Sequence, residues 1–190
     1  MTAQPPDLTL AEFIAWEARQ EAKHEFADGR VYAFAGGTKR HAAIAVELLG
    51  LLNTCLRGSP CRVYGSDVLI AMGQSGRYAD VVVTCDERDT RDLGETAVHY
   101  PKLIIEVLSD STAAVDRGDK LDEYRTIDSL EEYVLVDSRR RWVEVYRRGD
   151  NAWLASLPMT DGELRLASVD ATVSLEDLYA TAGLALAPSE

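Results

Sequence analysis

Two acidic residues stand in segments of the sequence that otherwise predict buried β-strands. Glu106 lies within PKLIIEVLSDS (101–111), and Asp80 directly precedes the apolar segment VVVTC (81–85). Apolar residues at successive positions indicate a strand that is covered on both faces. An ionised carboxylate is expensive to bury there unless a cation, a metal ion or several hydrogen bonds compensate for its charge. Asp80 and Glu106 therefore indicate either a functional site or a structural ion pair.

The two carboxylates are candidates for one metal site. The strands that carry them can meet at an edge or end of a β-sheet, where like charges repel each other unless a cation lies between them. A divalent metal ion is such a cation, and hard oxygen ligands favour Mg²⁺ or Mn²⁺. We therefore predict that Asp80 and Glu106 are metal ligands.

A lysine follows on the next predicted helix. In DRGDKLDEYR (116–125), Asp116, Lys120 and Tyr124 are spaced four residues apart and share one helix face. By itself this spacing indicates an ordinary salt bridge. Because the helix directly follows the Glu106 strand, the return of the chain could place Lys120 over the carboxylates. Two acids and a lysine around a metal ion suit phosphodiester hydrolysis, since the metal orients a water and the lysine stabilises developing negative charge.

The composition is that of an ordinary soluble globular protein. The chain has 190 residues, of which 46% are hydrophobic and 27% charged. A chain of this length buries about 70% of the surface that its unfolded form exposes. We expect one domain over 8–180, with frayed ends at 1–7 and 185–190. Neither a secretory signal nor a run of about 20 apolar residues is found, so a cytoplasmic location is expected.

The charge balance bears on the partner. A net charge of -12 argues against a dedicated nucleic-acid binder, for which a basic domain is the usual footprint, but a nuclease with local electrostatics remains compatible with it. Five arginines cluster late in the chain, where they predict a solvated hairpin and, as the alternative, a phosphate contact. They are Arg139, Arg140, Arg141, Arg147 and Arg148.

Cysteine and histidine spacing does not predict a zinc site. Three cysteines are present without a CxxC pair. Cys61 and Cys85 lie in strand-like apolar runs, so we expect small buried core residues rather than ligands or redox groups. No HExxH or comparable spacing relates the three histidines, His24, His41 and His99.

The order of predicted elements indicates an α/β fold. Thr9 and Glu12 form a capping-box pattern that opens a helix ending near Gln20. Asp28-Gly29 predicts the turn of a hairpin. The remaining elements are predicted helices at 41–56, 114–126 and 174–179, and strands at 61–72, 78–86, 103–109, 131–148 (an antiparallel pair), 151–160 and 162–169, with loops at 73–77 and 87–98. This order predicts an α/β sandwich built on a central mixed sheet.

The chain resembles a large bacterial family described as putative restriction endonucleases and called Uma-two, a branch of the PD-(D/E)XK nuclease superfamily. The resemblance covers roughly residues 8–180 and is most specific in IIEVLSDST together with DRGDK. The other matching segments are HEFADGRVYAFAGGTKRH, HAAIAVELLGLLN, CRVYGSDV, YADVVVTCD, the sequence LDEYRTIDSLEEYVLVD and VEVYRR.

The resemblance implies a restriction-endonuclease-like fold, a mixed β-sheet flanked by helices, here with additional C-terminal antiparallel strands. It identifies Asp80 as the motif aspartate and Glu106 as the acidic residue of the second half of the motif. The superfamily lysine would stand two residues after Glu106, where this chain has Leu108. Lys120, on the following helix, matches the position to which the family has moved that lysine.

Two further residues match family positions. Glu25, on the first hairpin, matches an acidic residue that joins such sites from an N-terminal element. His41 matches a recurring position that opens the second helix, where capping is as good an interpretation as chemistry. The proline expected before the motif aspartate is Ala79 here. Proline at that position shapes the backbone and is not a ligand.

The leading hypothesis is a Mg²⁺- or Mn²⁺-dependent endodeoxyribonuclease with Asp80, Glu106, Lys120 and Glu25 as catalytic residues. One alternative is a non-catalytic DNA- or protein-binding module that retains the nuclease fold. Another is hydrolysis of a different phosphodiester, such as RNA, at the same site, because one fold serves several substrates. A homodimer is compatible with cleavage of both DNA strands, since two-fold symmetry pairs two single-strand sites.

Overall fold

The computed structural model describes residues 8–34, 36–110 and 112–184. The ends predicted to be frayed, 1–7 and 185–190, lie outside these residues. The helices that the structure describes are α1 (Leu10–Glu17), α2 (Lys39–Cys55), α3 (Glu87–Thr90), α4 (Ala113–Arg117), α5 (Asp119–Arg125) and α6 (Leu175–Tyr179). No helix in the described ranges is both long and apolar enough to cross a membrane.

The strands form three sheets. They are β1 (His24–Ala27), β2 (Arg30–Ala33), β3 (Arg62–Gly65), β4 (Leu69–Met72), β5 (Ser75–Tyr78), β6 (Val81–Thr84), β7 (Ala97–Val98), β8 (Pro101–Leu108), β9 (Glu132–Asp137), β10 (Val143–Arg148), β11 (Trp153–Ala155), β12 (Glu163–Leu166) and β13 (Ala171–Ser174). The largest sheet has the order β11-β10-β9-β8-β6-β3, a second has β2-β1-β5-β4-β7, and β12 pairs with β13.

The six-stranded sheet is mixed and is covered by helices, as predicted. Strands β8 and β9 are parallel, whereas β6 pairs with β8 and β9 with β10 in antiparallel fashion. Residues alternate between the two faces, so Ile105 and Val107 pack with α2 and α6, while Ile104 and Leu108 pack with α5. Burial of the sheet on both faces explains why β8 and β9 are almost continuously apolar.

Most local predictions are confirmed. The Thr9 hydroxyl accepts a hydrogen bond from the Glu12 amide, and the Glu12 carboxylate accepts one from the Thr9 amide, so the capping box opens α1. The first hairpin turns at Asp28 and Gly29, whose φ angles of 50° and 72° lie in the left-handed region that such turns require. Helix α1 ends at Glu17 rather than near Gln20.

Several boundaries differ from the predictions. The strand predicted over 61–72 is divided into β3 and β4, which lie in different sheets, the strand predicted over 151–160 is limited to β11, and β13 was not predicted. The helix predicted over 114–126 is divided at Gly118, where a Cβ atom would lie 3.1 Å from the Ala114 carbonyl oxygen. The segment predicted as a loop at 73–77 contributes most of β5, because Ser75–Tyr78 folds back on β4 as a hairpin. The polar segment 87–98 contains the short elements α3 and β7. Short elements like these rest on tertiary pairing and have little sequence periodicity.

The prediction for Cys61 and Cys85 was wrong, because the structure joins them in a disulfide. Antiparallel pairing of β3 with β6 sets Arg62 opposite Thr84. Cys61, which precedes Arg62, therefore lies opposite Cys85, which follows Thr84. Both cysteines are half-buried and pack against the core, as expected, but the strand register converts two apolar positions into a cross-link. Cys55 is a free, exposed cysteine.

Candidate active site

Asp80 and Glu106 are neighbours on adjacent strands. In the antiparallel pairing of β6 with β8, Val81 lies opposite Ile105, so the preceding residue Asp80 stands opposite Glu106. Residues directly opposite each other in an antiparallel pair place their side chains on the same face of the sheet. The strand register therefore brings together the two carboxylates that lie 26 positions apart in the sequence.

Two groups hold the Asp80 carboxylate. Its Oδ2 accepts a hydrogen bond of 2.8 Å from the Val107 amide of the neighbouring strand, and His41 Nε2 lies 3.2 Å from the same oxygen. The hydrogen bond with Asp80 raises the pKa of the His41 imidazole, although partial burial acts in the opposite direction. Helix α2 begins at Lys39 and its first turn presents His41 to the end of the sheet.

A close approach of the backbone at Gly37 accommodates the His41 ring. A Cβ atom at this position would lie 2.5 Å from His41 Nδ1, which is closer than any normal contact. Glycine at 37 therefore allows the loop before α2 to pass over the imidazole. The neighbouring Gly36 has no such constraint, since a Cβ atom there would meet nothing within 4 Å.

Glu106 is bonded from helix α5. Lys120 Nζ donates to Glu106 Oε1 at 2.9 Å, and the Tyr124 hydroxyl donates to the same oxygen at 3.0 Å. The two donors are four residues apart and so occupy one face of the helix. Only 3% of Glu106 is exposed, so these contacts compensate for part of the cost of burying its charge.

Lys120 is the central cation of a cluster of acids. Besides Glu106, its Nζ lies 3.4 Å from Glu25 Oε1 and 3.5 Å from Asp116 Oδ1, and it donates a hydrogen bond of 3.0 Å to the Tyr78 carbonyl. Burial lowers the pKa of the Lys120 ammonium, but the neighbouring carboxylates outweigh this effect and raise the pKa above its ordinary value. Lys120 therefore stays protonated.

Burial and mutual repulsion oppose ionisation of the carboxyl groups in the cluster. Burial raises the pKa of Glu106 to about 8. Lys120 acts in the opposite direction, and the charges of Asp116 and Asp80 add to the increase. The buried Asp116 also has a raised pKa because of burial, and its Oδ1 accepts no hydrogen bond within the described part of the chain. A further cation at this position would relieve the repulsion between the carboxylates.

Glu25 lies on the far side of Lys120. Its Oε1 accepts a hydrogen bond from the Tyr78 amide at 3.1 Å, and its Oε2 lies 3.1 Å from Arg77 Nη1. Arg77 in turn forms two hydrogen bonds of 2.7 and 2.8 Å with the Glu123 carboxylate. Glu25 contacts Lys120 but is not among the residues that line the cavity beside Asp80 and Glu106. These contacts suit a role for Glu25 in positioning the Lys120 ammonium.

A cavity of about 290 Å³ opens beside the carboxylates. Its polar side is formed by the end of the sheet, by the start of α5 and by the loop that leaves β8. Its other side is formed by α2 and the loop before it. The lining residues include Asp80, Glu106, Asp116, Lys120, Ser109 and Thr112 on the polar side, and His41 together with the apolar residues Phe34, Ala42, Ala45, Val46 and Leu49 on the other side.

Asp80 and Glu106 are the carboxylates of the cavity that could hold a metal ion. In the ranges that the structure describes, no group of three or more histidine, cysteine or acidic side chains is arranged to hold one. Asp80 and Glu106 supply two carboxylates, and hydrogen bonds from described residues reach only Oδ2 of the first and Oε1 of the second. Mg²⁺ is often held by one or two carboxylates, with water and substrate phosphate as its other ligands. The pair fits that pattern.

The structure brings together three of the four predicted site residues around the cavity, namely Asp80, Glu106 and Lys120, and it places Glu25 behind the lysine. Sequence analysis did not select Asp116 for the site, although its spacing from Lys120 was recognised. Arg77 was missed because its segment was interpreted as a loop. Gly76, Arg77 and Tyr78 are all buried and show no alternation, so β5 carries no local signal that would have identified Arg77.

Comparisons with known proteins show the family of the chain. A family described as "Uma2: Putative restriction endonuclease" matches residues 10–180. The uncharacterized protein slr1290 of Synechocystis sp. (strain ATCC 27184 / PCC 6803 / Kazusa) is 37% identical over 177 residues, which cover 92% of each chain. The uncharacterized protein sll1609 of the same organism is 37% identical over 150 residues, 77% of this chain and 85% of the relative.

A solved structure shares the fold. The crystal structure of a putative nuclease belonging to DUF820 from Anabaena variabilis ATCC 29413 superposes with a TM-score of 0.73 and covers 91% of this chain and 98% of its own, at 20% identity. The fold is therefore that of a restriction-endonuclease-like α/β protein, with a mixed sheet flanked by helices. The chain belongs to the Uma2 family, which is the Uma-two family of the sequence analysis.

Proposed function

We propose that the protein is a divalent-metal-dependent endonuclease that hydrolyses phosphodiester bonds in DNA. The observation that carries the proposal is the pairing of Asp80 with Glu106 across β6 and β8, at the wall of a cavity into which Lys120 also points. The family described as "Putative restriction endonuclease" and the fold neighbour described as "a putative nuclease" support the same class of reaction. Asp80 and Glu106 would hold Mg²⁺ or Mn²⁺.

Each residue has a separate task in this proposal. When bound, the metal ion supplies an activated water and neutralises charge on the phosphate. Lys120 remains protonated beside Glu106, so its ammonium stabilises the negative charge that develops on the phosphate oxygens. Tyr124 fixes the Glu106 carboxylate, and His41 with the Val107 amide fixes that of Asp80. These contacts orient both carboxylates before substrate arrives.

Glu25 acts in the proposal as a positioning residue. It lies 3.4 Å from Lys120 Nζ and is held by Arg77 and by the Tyr78 amide. The lysine ammonium therefore has Glu25 on one side and Glu106 on the other, which limits the positions that its flexible side chain samples. In this role Glu25 affects the rate through Lys120 and does not touch the substrate.

Metal binding and cleavage test the proposal together. Calorimetric titration of Mn²⁺ into the protein is expected to show a site that disappears in both Asp80→Asn and Glu106→Gln. The amide of Asp80→Asn still accepts from the Val107 N–H, so the strand pairing is kept while the charge is removed. Asp161→Asn, at an exposed position outside the cavity, is the matched control. DNA cleavage in Mg²⁺ should follow the same pattern.

A result without metal binding, even with DNA present, would reject the proposal. In that case the non-catalytic module becomes the better description, which the net charge of -12 favours because DNA carries a negative charge at every phosphate. RNA in place of DNA would be recognised by cleavage of RNA alone under the same conditions. We also propose a homodimer, and sedimentation of the purified protein measures its oligomeric state directly.

A further inference from the structure

The cavity beside the carboxylates has one wall that phosphate chemistry does not need. Helix α2 presents Ala42, Ala45, Val46 and Leu49 to it, and Phe34 closes one side. The apolar side chain of Val46 is 67% exposed, whereas Ile44 and Leu48 on the same helix are buried. Apolar and aromatic groups gain nothing from contact with a phosphate, whereas any nucleobase can stack on the aromatic ring of Phe34 and contact the aliphatic side chains beside it. The wall therefore suits the base or sugar attached to the scissile phosphate.

The depth of the carboxylates limits what reaches them. The side chains of Asp80 and Glu106 are 11% and 4% exposed, so a phosphate must enter the cavity to contact either one. The cavity holds about 290 Å³, in the size range of small-molecule sites. A nucleotide that is paired and stacked in a duplex is not free to enter such a cavity, whereas an unstacked nucleotide is. We therefore expect an unstacked nucleotide, rather than the backbone of an intact duplex, to reach these recessed carboxylates.

The charge of the cavity lining also favours an unstacked nucleotide over a duplex. Of the described residues that line the cavity, only His41 and Lys120 have basic side chains, and both contact carboxylates. Elsewhere, Arg139 pairs with Asp137, and Arg147 pairs with Glu132. A protein that follows a duplex by its phosphates uses several uncommitted basic groups. Within the described lining of the cavity, no uncommitted basic group is left for a second phosphate.

We propose that the site takes an unstacked nucleotide, with its phosphate at Asp80 and Glu106 and its base against the Phe34, Ala45 and Val46 wall. The substrate class is accordingly a single strand or a frayed end of nucleic acid, rather than a continuous duplex. This inference rests on the proposed function for the cleavage of the bound nucleotide. Nucleotide binding itself is a separate step and can be measured without cleavage.

Binding is measured with fluorescently labelled DNA oligonucleotides by anisotropy in Ca²⁺, which holds cleavage off. The single strand is expected to bind at least about tenfold tighter than the same sequence in a duplex, because one stacked base contributes on the order of a factor of ten. An otherwise identical oligonucleotide with abasic positions should lose most of that advantage. Weak dependence on salt is expected as well, because few phosphates are contacted.

The wall is tested by Val46→Trp, which fills the cavity from an exposed position and so spares the core. Thr54→Trp adds the same side chain to an exposed position of α2 outside the cavity. Only the first variant should weaken binding of the normal single strand, and it should have little effect on the abasic one. Circular dichroism and Mn²⁺ calorimetry confirm that both variants keep the fold and the metal site.

Two outcomes overturn the inference: duplex binding as tight as single-strand binding, or equal effects of Val46→Trp and Thr54→Trp. Failure of the proposed function gives a different result. If no oligonucleotide is cut in Mg²⁺ while the predicted binding preference holds, the hydrolytic function is rejected and the nucleotide site remains. If single strand and duplex are cut at equal rates, the endonuclease stands and the unstacked-nucleotide site is rejected.

Discussion

Lys120 Nζ donates to Glu106 Oε1 at 2.9 Å from a helix that begins more than ten residues after the strand. The nuclease superfamily that the sequence resembles places a lysine on the strand itself, two residues after the acid, where this chain has Leu108. That side chain lies on the same face of β8 as Glu106 but is fully buried against α5. Leu108 at this strand position therefore belongs to the hydrophobic core, and the following helix brings Lys120 to the Glu106 carboxylate.

The Lys120–Glu106 pair should contribute strongly to the free energy of unfolding. We expect Lys120→Met to lower the free energy of unfolding by about 3 kcal/mol, because removing one partner leaves a buried acid without its cation. Adding Glu106→Gln should restore part of the loss, since the uncompensated charge is then gone. Lys102→Met removes a more exposed lysine, paired with Glu131 at 3.4 Å, and should cost less than about 1 kcal/mol. Urea unfolding measures all four proteins, and equal costs for the two lysines would contradict the prediction.

Gly37 should matter for the metal site without being part of it. In Gly37→Ala the new methyl group would lie 2.5 Å from His41 Nδ1, so the ring must move away from Asp80. We expect Mn²⁺ affinity to fall about tenfold, the lower end of the effect of losing a group that orients a ligand. Gly36→Ala is the matched control, because its methyl group meets nothing within 4 Å. Unchanged affinity in Gly37→Ala would show that His41 does not orient the carboxylate.

Arg77 should be a structural requirement for the Glu25 side of the site. It is 6% exposed and contacts both Glu25 and Glu123. Arg77→Met leaves Glu123 without its cation and Glu25 with Lys120 alone, and we expect a loss of about 3–5 kcal/mol of stability. Arg91→Met removes an exposed pair with Glu87 and should change stability by no more than about 0.5 kcal/mol. A small cost for Arg77→Met in denaturant unfolding would mean that solvent reaches these acids.

Asp137 should contribute to acid sensitivity. Burial raises the pKa of its carboxyl, but the hydrogen bonds from Arg139 outweigh burial and leave the pKa below its ordinary value. A lowered pKa in the folded state stabilises the protein above the unfolded pKa of about 3.9, and this contribution is lost as the pH falls through the folded pKa. Between pH 5 and 3, the stability of Asp137→Asn should therefore fall less steeply than that of the parent. Parallel slopes in urea unfolding would contradict this.

The Cys61–Cys85 disulfide should stabilise the edge of the large sheet. It closes a loop with a sequence separation of 24, for which the chain-entropy argument gives about 3 kcal/mol. The double variant Cys61→Ser, Cys85→Ser and the reduced parent should lose similar stability, whereas Cys55→Ser should lose little. Equal stability of oxidised and reduced protein would contradict the expectation. Because cytosolic thiols are normally kept reduced, the oxidation state in cells also tests the predicted cytoplasmic location.

Periodicity and local motifs were enough to predict the elements that carry the site. The apolar runs around Asp80 and Glu106 predict covered strands, and an acid in such a run needs compensation. The capping box at Thr9 and the turn at Asp28-Gly29 are local patterns and are confirmed. The break at Gly118 was not predicted, because a single glycine inside a helical pattern is usually tolerated.

The sequence by itself determined which residue types were available and which local elements carry them, because local propensity and hydrophobic period are properties of neighbouring residues. Only the tertiary structure decided which of those residues meet. The register of β6 with β8 sets Asp80 opposite Glu106, and the pairing of β3 with β6 joins Cys61 to Cys85. These contacts depend on strand register and helix packing between distant segments, where a shift of one residue would move each side chain to the other face.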